Sequence, residues 1–382
     1  MNLRRKELLF RPFPPGPDAK RILSLTAEEI LQLLEGADLR GRGGAGFPVV
    51  RKWRAAGAYP ADVRYVICNA DEGEPGTFKD REILTRVPEK VWLGMGLAAR
   101  VLGAREGFVY LRYEYRFLVD HLETSLARFH AFLREIGIDF TIRIFLGAGA
   151  YVCGEETALI ESMEGKRGEP RNKPPFPVEK GYLGRPTVVN NVETFTYAAE
   201  LAHLGREEFL SSPDNDGLYR LFCLAGDTPK PGIFELGAHM PIADLVVEFG
   251  DGHTKAVQIG GASGFCVPQR EFRTAIIGQN GLPGGGSILF FNQNRSMYRV
   301  LMHFIEFFSD ESCGQCTPCR VGGRQLRDGL LAVKAGSKPP SYLERMLELS
   351  LTMQDASKCG LGRSVANSFR TIVTNFREEM IY

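Results

Sequence analysis

The chain has 382 residues, 44% of them hydrophobic and 24% charged, which is ordinary globular usage and enough for two or three domains. Its 47 Lys and Arg nearly balance 46 Asp and Glu, so no polybasic field invites nucleic acid and no acidic tail points to disorder. No apolar run approaches the roughly 18 to 20 residues of a membrane-crossing helix, and the stretch from Met1 to Lys6 leads into Pro-rich sequence, not the apolar core of a secretory signal. The expectation is a soluble, cytoplasmic chain, able to sit peripherally on a membrane complex through other subunits.

A Pro-rich arm (Pro12, Pro14, Pro15, Pro17) is followed by an amphipathic stretch with Ile30, Leu31, Leu33 and Leu34, and Thr26 with Glu29 gives it a capping-box start. After a Gly-rich loop at 41–46, Arg64 to Cys68 reads as a buried strand, Glu89 to Leu102 as a helix and Gly107 to Arg112 as a second strand. Arg116 to Ile136 carries Leu118, Leu122, Leu126, Phe129 and Leu133 at helix spacing, and Thr141 to Phe145 is a third strand. This alternation predicts a parallel, doubly wound α/β sheet. From a loop at 212–217 the texture changes to short β-like runs, Tyr219 to Leu224, Leu245 to Phe249 and Ala256 to Ile259. From about 297 it is helical, through Val300, Leu301, Phe304 and Phe308, then Leu326 to Val333, Tyr342 to Leu351 and Val365 to Phe376. Three domains are expected, over 1–211, 212–293 and 294–382.

Four segments in the first domain carry polar chemistry. Arg40 to Pro48 satisfies G-x-G-x-x-G at Gly41, Gly43 and Gly46, where backbone amides can approach phosphate and Arg40, Arg42 and Lys52 add positive charge. A dinucleotide fingerprint should follow a strand, and the segment before this one looks helical, so a different phosphate-binding variant or a plain glycine turn both remain open. Asn69 to Arg81 places Asp71, Glu72 and Glu74 at the end of the first strand, where open α/β sheets bind hydroxyl-rich groups; a solvated acidic loop is the alternative. Gly147 to Leu159 runs from strand into helix, with Tyr151 facing either a ligand ring or the core. Pro170 to Pro177 is a stiff, basic loop tipped by Phe176, and Thr187 to Thr194 offers the paired amides Asn190 and Asn191.

In the last domain Cys313, Cys316 and Cys319 follow C-x-x-C-x-x-C, with Cys359 forty residues later. Four thiolates are what a [4Fe–4S] cube needs, three close and one distant, whereas zinc usually takes two close pairs. A disulfide framework conflicts with eight cysteines in 382 residues and with a reducing compartment. Cys68, Cys153, Cys223 and Cys266 are scattered singly and read as small buried side chains.

Taken together, Arg40 to Pro48, Cys68 to Arg81, Gly147 to Thr157, Pro170 to Pro177 with Asn190 to Thr194, and the four cysteines resemble, in order, the flavoprotein (NADH-binding) subunit of respiratory complex I and its relatives in NAD-linked hydrogenases and formate dehydrogenases. The resemblance implies a Rossmann-like flavin domain, a ubiquitin-like β-grasp domain and a C-terminal helical bundle holding one [4Fe–4S] cluster on Cys313, Cys316, Cys319 and Cys359. It implies FMN against Gly41, Arg42, Gly43, Lys52, Asn69, Asp71 and Glu72, then Tyr151, Gly154, Glu155 and Glu156, with Asn190, Asn191 and Thr194 at the far side. NAD(H) would stack over the flavin, bounded by Phe47, Glu74, Lys173 and Phe176, with Glu156, Glu74 and Tyr151 at the reacting rings.

The implied activity is a diaphorase: hydride passes between NAD(H) and FMN, and single electrons between FMN and the cluster, in either direction. A separate small thioredoxin-like [2Fe–2S] subunit and a larger multi-cluster iron–sulfur subunit are the implied partners, since neither kind of domain is appended to this chain. The acidic Glu74, Glu155 and Glu156 favour NADH over NADPH. One departure is Ala55, where respiratory members have an aromatic near the adenine. It lends some support to a second reading, a cluster-bearing electron conduit that has lost nucleotide binding, against which stand Glu74, Lys173 and Phe176.

Overall fold

A computed structural model describes residues 8–11, 16–211, 219–278 and 286–382. Pro12, Pro14, Pro15 and the expected loop at 212–217 lie outside the described residues.

Three helices come first, α1 (Pro17–Ser24), α2 (Ala27–Gly36) and α3 (Val49–Ala58). The capping box forms at α2: Thr26 Oγ1 accepts from the Glu29 amide at 3.2 Å, and Glu29 accepts from the Thr26 amide at 2.7 Å. Then follow β1 (Tyr65–Ala70), α4 (Lys79–Arg86), α5 (Pro88–Leu102), β2 (Glu106–Leu111), α6 (Val119–Glu135), β3 (Thr141–Leu146), α7 (Glu156–Met163), the single turn α8 (Pro177–Lys180), β4 (Thr187–Asn191) and α9 (Val192–Leu210). The four strands are all parallel, in the order β3-β2-β1-β4, so their carboxyl ends share one edge. That edge is where a ligand crevice opens in such sheets. Helix α5 is apolar around nearly its whole circumference and is correspondingly buried. It crosses α9 so closely at Gly94 that any Cβ there would strike the Phe195 carbonyl.

A second sheet has β5 (Tyr219–Gly226), β6 (Gly232–Gly237), β8 (Thr254–Ile259), β9 (Phe265–Pro268) and β11 (Ser287–Asn292), in the order β6-β5-β11-β8-β9. The short β7 (Met240–Pro241) and β10 (Ile276–Ile277) pair beside it, and α10 (Ile242–Phe249) packs between β6 and β8 in sequence. Leu245 to Phe249, expected as a strand, is therefore helical. Its core contacts come from Ile242, Leu245 and Phe249, one helical face, while Val247 is 82% exposed; a strand would have buried Leu245, Val247 and Phe249 together.

The C-terminal helices are α11 (Met297–Asp310), α12 (Thr317–Lys334), α13 (Tyr342–Ala356), α14 (Gly360–Asn375) and α15 (Arg377–Ile381). Helix α14 lies along the second sheet: Gln258 Nε2 donates to Ser368 Oγ at 2.8 Å, the Cys266 amide to Thr371 Oγ1 at 3.0 Å, and Asn367 Nδ2 to the Ser263 carbonyl at 3.0 Å.

Candidate functional site

The glycine loop closes on itself through the Gly41 amide to the Phe47 carbonyl, 2.9 Å, with an isolated bridge between Arg40 and Pro48. Gly44 and Gly46 have φ of +104° and +62°, which glycine adopts without strain. The Arg42 amide donates to Thr194 Oγ1 at 2.9 Å, and a Cβ on Gly43 would stand 3.5 Å from Asn191 Cβ, so the loop lies against the amino end of α9. Arg42 reaches the Tyr219 carbonyl through Nη2 at 3.3 Å and stacks over the Tyr197 ring at 5.2 Å. Its Nε and Nη1 are buried without a partner among the described residues.

At the end of β1, Asn69 Nδ2 donates to the Gly154 carbonyl at 2.8 Å and its Oδ1 accepts from the Asp71 amide at 3.0 Å. Asp71 Oδ2 is buried and unpartnered among the described residues. Burial raises its pKa to about 7, with Arg112 only partly offsetting it. Glu72 accepts from the amides of Asp80 and Arg81 at 3.1 and 3.2 Å and from Tyr115 Oη at 2.9 Å, which caps α4; burial, then Asp80, lift it to about 7. Glu74 crosses to the second sheet, taking the Ser263 amide at 3.0 Å, Ser263 Oγ at 2.8 Å and Tyr151 Oη at 2.7 Å. Burial also raises it, against those three donors.

After β3 the chain makes a 3-10 turn over Tyr151–Gly154. Glu155 then caps α7 by accepting from the Thr157 and Ala158 amides at 2.9 and 3.0 Å. Glu156 stands between two lysines, Lys52 Nζ at 3.0 Å and Lys173 Nζ at 3.2 Å. Burial works to raise its pKa, but the two ammonium groups outweigh that and hold it below the ordinary value. Lys173 also binds Glu155 at 2.7 Å, and Lys52 donates to the Val189 carbonyl at 3.0 Å. Phe47 and Phe176 flank this cluster in sequence and are about half exposed, at 50% and 48%. Ala55 sits on the exposed side of α3.

The paired amides do structural work. Asn190 Oδ1 takes Trp53 Nε1 at 2.8 Å; Asn191 Oδ1 caps α9 through the Glu193 amide at 3.0 Å and also accepts from Lys79 Nζ at 3.1 Å. Lys79 is buried against Asp80 at 2.6 Å and Glu193 at 3.0 Å. Burial works to lower its pKa, and these carboxylates more than reverse that. Lys79 and Asp80 lie inside the acidic motif of the sequence without a signal of their own: a charged pair directly after an acidic loop looks solvated until the fold closes over it.

The cysteines are all free thiols. Cys313 lies in the loop after α11, Cys316 is the N-cap of α12, Cys319 lies in its first turn, and Cys359 is the N-cap of α14. Helix amino ends stabilise thiolates. Cys319 is pushed up to about 11 by burial; Ser312 opposes this, and the neighbouring Cys316, Cys359 and Cys313 add to it. Ser312 Oγ lies 3.2 Å from Cys319 Sγ. Among the described residues no group of three or more His, Cys, Asp or Glu is placed to hold a metal ion; Cys316, Cys319 and Cys359 lie at the amino ends of two helices, and Cys313 in the loop before the first of them. Cys68, Cys153, Cys223 and Cys266 are buried, as expected.

The two regions touch. The Tyr151 amide donates to Glu311 Oε2 at 2.9 Å, the Tyr151 ring meets Phe307 edge-on at 5.1 Å, and Cys359 lies near enough to Glu155 for that carboxylate to raise its pKa, after the larger effect of burial. Glu311 and Arg167, which donates to the Cys313 carbonyl at 2.6 Å, carry no motif signal in the sequence.

Residues 34–200 match the Nuo51 FMN-binding domain, and residues 299–382 match the NADH-ubiquinone oxidoreductase-F iron–sulfur binding region. The glycine loop, the acidic strand end and the cysteine-bearing bundle thus define an oxidoreductase component with FMN and [4Fe–4S] regions. The chain belongs to the family of the NADH-quinone oxidoreductase F subunits: it is 36% identical over 379 residues to the F 2 subunit of Rhizobium meliloti, covering 95% of this chain and 90% of that one. It is also 43% identical over 365 residues to the alpha subunit of the NAD-reducing hydrogenase HoxS of Cupriavidus necator, covering 93% of this chain and 60% of that subunit. A crystal structure of NAD+-reducing [NiFe]-hydrogenase in the H2-reduced state superposes with a TM-score of 0.91 at 42% identity, over 99% of this chain and 66% of that one. The chain thus spans about two thirds or less of these two hydrogenase chains.

Proposed function

We propose that this chain is the nicotinamide-nucleotide-binding subunit of a larger assembly, exchanging hydride between NAD(H) and FMN and single electrons between FMN and a [4Fe–4S] cluster. The observation that carries it is the hydrogen bond from the Tyr151 amide, at the start of the segment that carries Glu155 and Glu156, to Glu311, two residues before the first cysteine of the set. When bound, FMN supplies two-electron hydride chemistry and the cluster one-electron chemistry.

The residues present fit both groups. Buried donors and acceptors without partners are costly, and the free Nε and Nη1 of Arg42 and Oδ2 of Asp71 suit a phosphate and a hydroxyl chain. Gly41, Gly43 and Gly154 keep side chains out of the cradle; Lys52, Asn69, Glu72, Asn190, Asn191 and Thr194 frame it. Glu156, held ionised between Lys52 and Lys173, fixes the polar edge of the pocket. Tyr151, tied by Glu74, walls the side toward the cysteines. Phe47 and Phe176 offer the exposed ring faces on which a nucleotide would stack, and the carboxylates of Glu74, Glu155 and Glu156 disfavour a 2′-phosphate. Three thiols at two helix amino ends, with Cys313 in the loop before the first, suit a cube.

The domain limits 1–211, 212–293 and 294–382 belong to this reading, and so does a β-grasp assignment for the middle sheet. Its support is the strand order β6-β5-β11-β8-β9, with β11 parallel to β5 and a helix between β6 and β8. The proposed partners are a small thioredoxin-like [2Fe–2S] subunit and a larger multi-cluster iron–sulfur subunit. No helix among the described residues is long and apolar enough to cross a membrane, and a peripheral, cytoplasmic location is proposed. The host complex favoured is an NAD-linked hydrogenase or formate dehydrogenase.

Protein reconstituted with FMN, iron and sulfide should lose its flavin absorption on mixing with NADH and reduce ferricyanide. Flavin that stays oxidised with both NADH and NADPH overturns the reading. Failure of saturable NADH binding alone would instead favour the electron-conduit alternative.

A further inference from the structure

We propose that Glu311 and Arg167 are positioning residues that hold the first cluster-binding cysteine at a fixed offset from the flavin pocket, and so set how fast single electrons leave bound flavin. This rests on the function proposed above.

The two contacts reach the segments that flank one helix in sequence. Glu311 Oε2 accepts the amide of Tyr151, 160 residues away in the chain, just before α7. Arg167, just after α7, donates through Nη2 to the Cys313 carbonyl at 2.6 Å. Helix α7 has eight residues, a rod of about 12 Å, and its amino end carries Glu155 and Glu156. The loop from 311 to 313 is thus tied at two points to the segments on either side of α7, whose amino end forms one wall of the pocket. A single attachment would leave it free to pivot.

Three further features stiffen the joint. The Arg167 guanidinium is oriented by Glu169, whose Oε1 lies 3.1 Å from Nε. Gly314 turns the loop with φ +79°, and the space where a Cβ would sit has Arg320 Cδ at 3.9 Å and Arg167 Nη2 at 4.0 Å. The Tyr151 ring packs on Phe307 at 5.1 Å and Phe308 at 6.3 Å, an apolar seam beside the Glu311 contact.

The step affected makes and breaks no bond at the protein. With both groups bound, the flavin would give up one electron to the cluster held by Cys313, Cys316, Cys319 and Cys359 and release its proton to solvent, and Glu311 and Arg167 would only hold the loop in place. Such a transfer weakens steeply with separation, while the Arg167 contact with Cys313 touches none of the residues placed on the nucleotide side of the pocket.

The test mixes holoprotein with NADH and follows flavin bleaching by absorbance and cluster reduction by freeze-quench EPR. Arg167→Ala should bleach at the wild-type rate yet reduce the cluster severalfold more slowly, and Glu311→Ala, which also frees the Tyr151 amide, should slow cluster reduction more than bleaching. Glu311→Gln and Arg167→Lys should recover most of that loss. Before NADH is added, hydrogen exchange at the Tyr151 amide should be faster in Glu311→Ala and near wild type in Glu311→Gln. Equal cluster kinetics in all variants overturns this inference alone. So does loss of the dithionite-reduced cluster signal in the conservative variants, which would make the contacts a matter of cluster retention. Wild-type holoprotein that NADH fails to bleach overturns the functional reading and this inference with it.

Discussion

Lys52 and Glu156, 104 residues apart in sequence, meet at 3.0 Å, and Lys173 closes on the other oxygen of the same carboxylate at 3.2 Å. Glu156 is held below its ordinary 4.5 because the two ammonium groups overcome the effect of burial. A depressed carboxylate contributes stability that is fully present above the unfolded value and lost as pH falls through the folded one. Glu156→Gln should therefore cost about 2 kcal/mol at pH 7. The urea midpoints of wild type and variant should differ there and converge in acid; a gap that persists at low pH would show that packing, not charge, is responsible.

Asp71 has the opposite sign. Burial raises it from 3.8 to about 7, so between those values the unfolded chain gives up a proton that the folded chain keeps, and stability falls as pH rises until it levels above about 7. At about 1.4 kcal/mol per pKa unit the effect is up to a few kcal/mol in flavin-free protein. Asp71→Asn should flatten this slope and raise the pH 8 midpoint of the flavin-free protein. No change between pH 5 and pH 8 in either protein would contradict the burial argument.

Cys316→Ser removes the thiol at the amino cap of α12 that is proposed as a cluster ligand. The expected result is loss of the [4Fe–4S] EPR signal with NADH-to-ferricyanide activity partly retained, because flavin can discharge directly to a small oxidant. A normal cluster signal in this variant would show that the ligand assignment is wrong.

Much of this is legible in sequence because it is local. Four cysteines at fixed spacing, a capping box at Thr26 and Glu29, and alternating strands and helices each announce themselves within a window of residues. Leu245 to Phe249 misleads because a short apolar run has no period of its own, and only the buried Ile242 reveals the helix. The strand at Thr187–Asn191 reads in sequence only as a source of amides, although its apolar Val188 and Val189 are buried beside β1. The contacts of Glu311 with Tyr151 and of Arg167 with Cys313 span 160 and 146 residues, and no window holds both partners. Lys79 looks solvated for the same reason: Glu193 and Asn191, which bury it, come from another element.

The described part of the amino-terminal arm is clasped from both edges. Glu235 Oε2 on β6 accepts from the amides of Leu8 and Leu9 at 2.7 and 3.1 Å, and Lys90 Nζ on α5 donates to their carbonyls at 3.2 and 2.9 Å while pairing with Glu200. Both leucines are buried. Deleting residues up to Leu9 should lower stability by at least about 4 kcal/mol, from two buried leucines at roughly 1.5 to 3 kcal/mol each and the hydrogen bonds to charged groups at about 1.5 kcal/mol or more each. The pH response distinguishes the clasp from simple loss of apolar surface. Burial raises Glu235 to about 7, against the Leu9, Leu8 and Tyr197 donors, so in the intact chain it lowers stability as pH rises from about 4.5 to about 7. Opening the clasp to solvent lets Glu235 relax toward its ordinary value, and that part of the slope should disappear from urea midpoints measured between pH 5 and pH 8. A truncated chain with an unchanged midpoint would show that the arm does not hold the first domain to the second sheet.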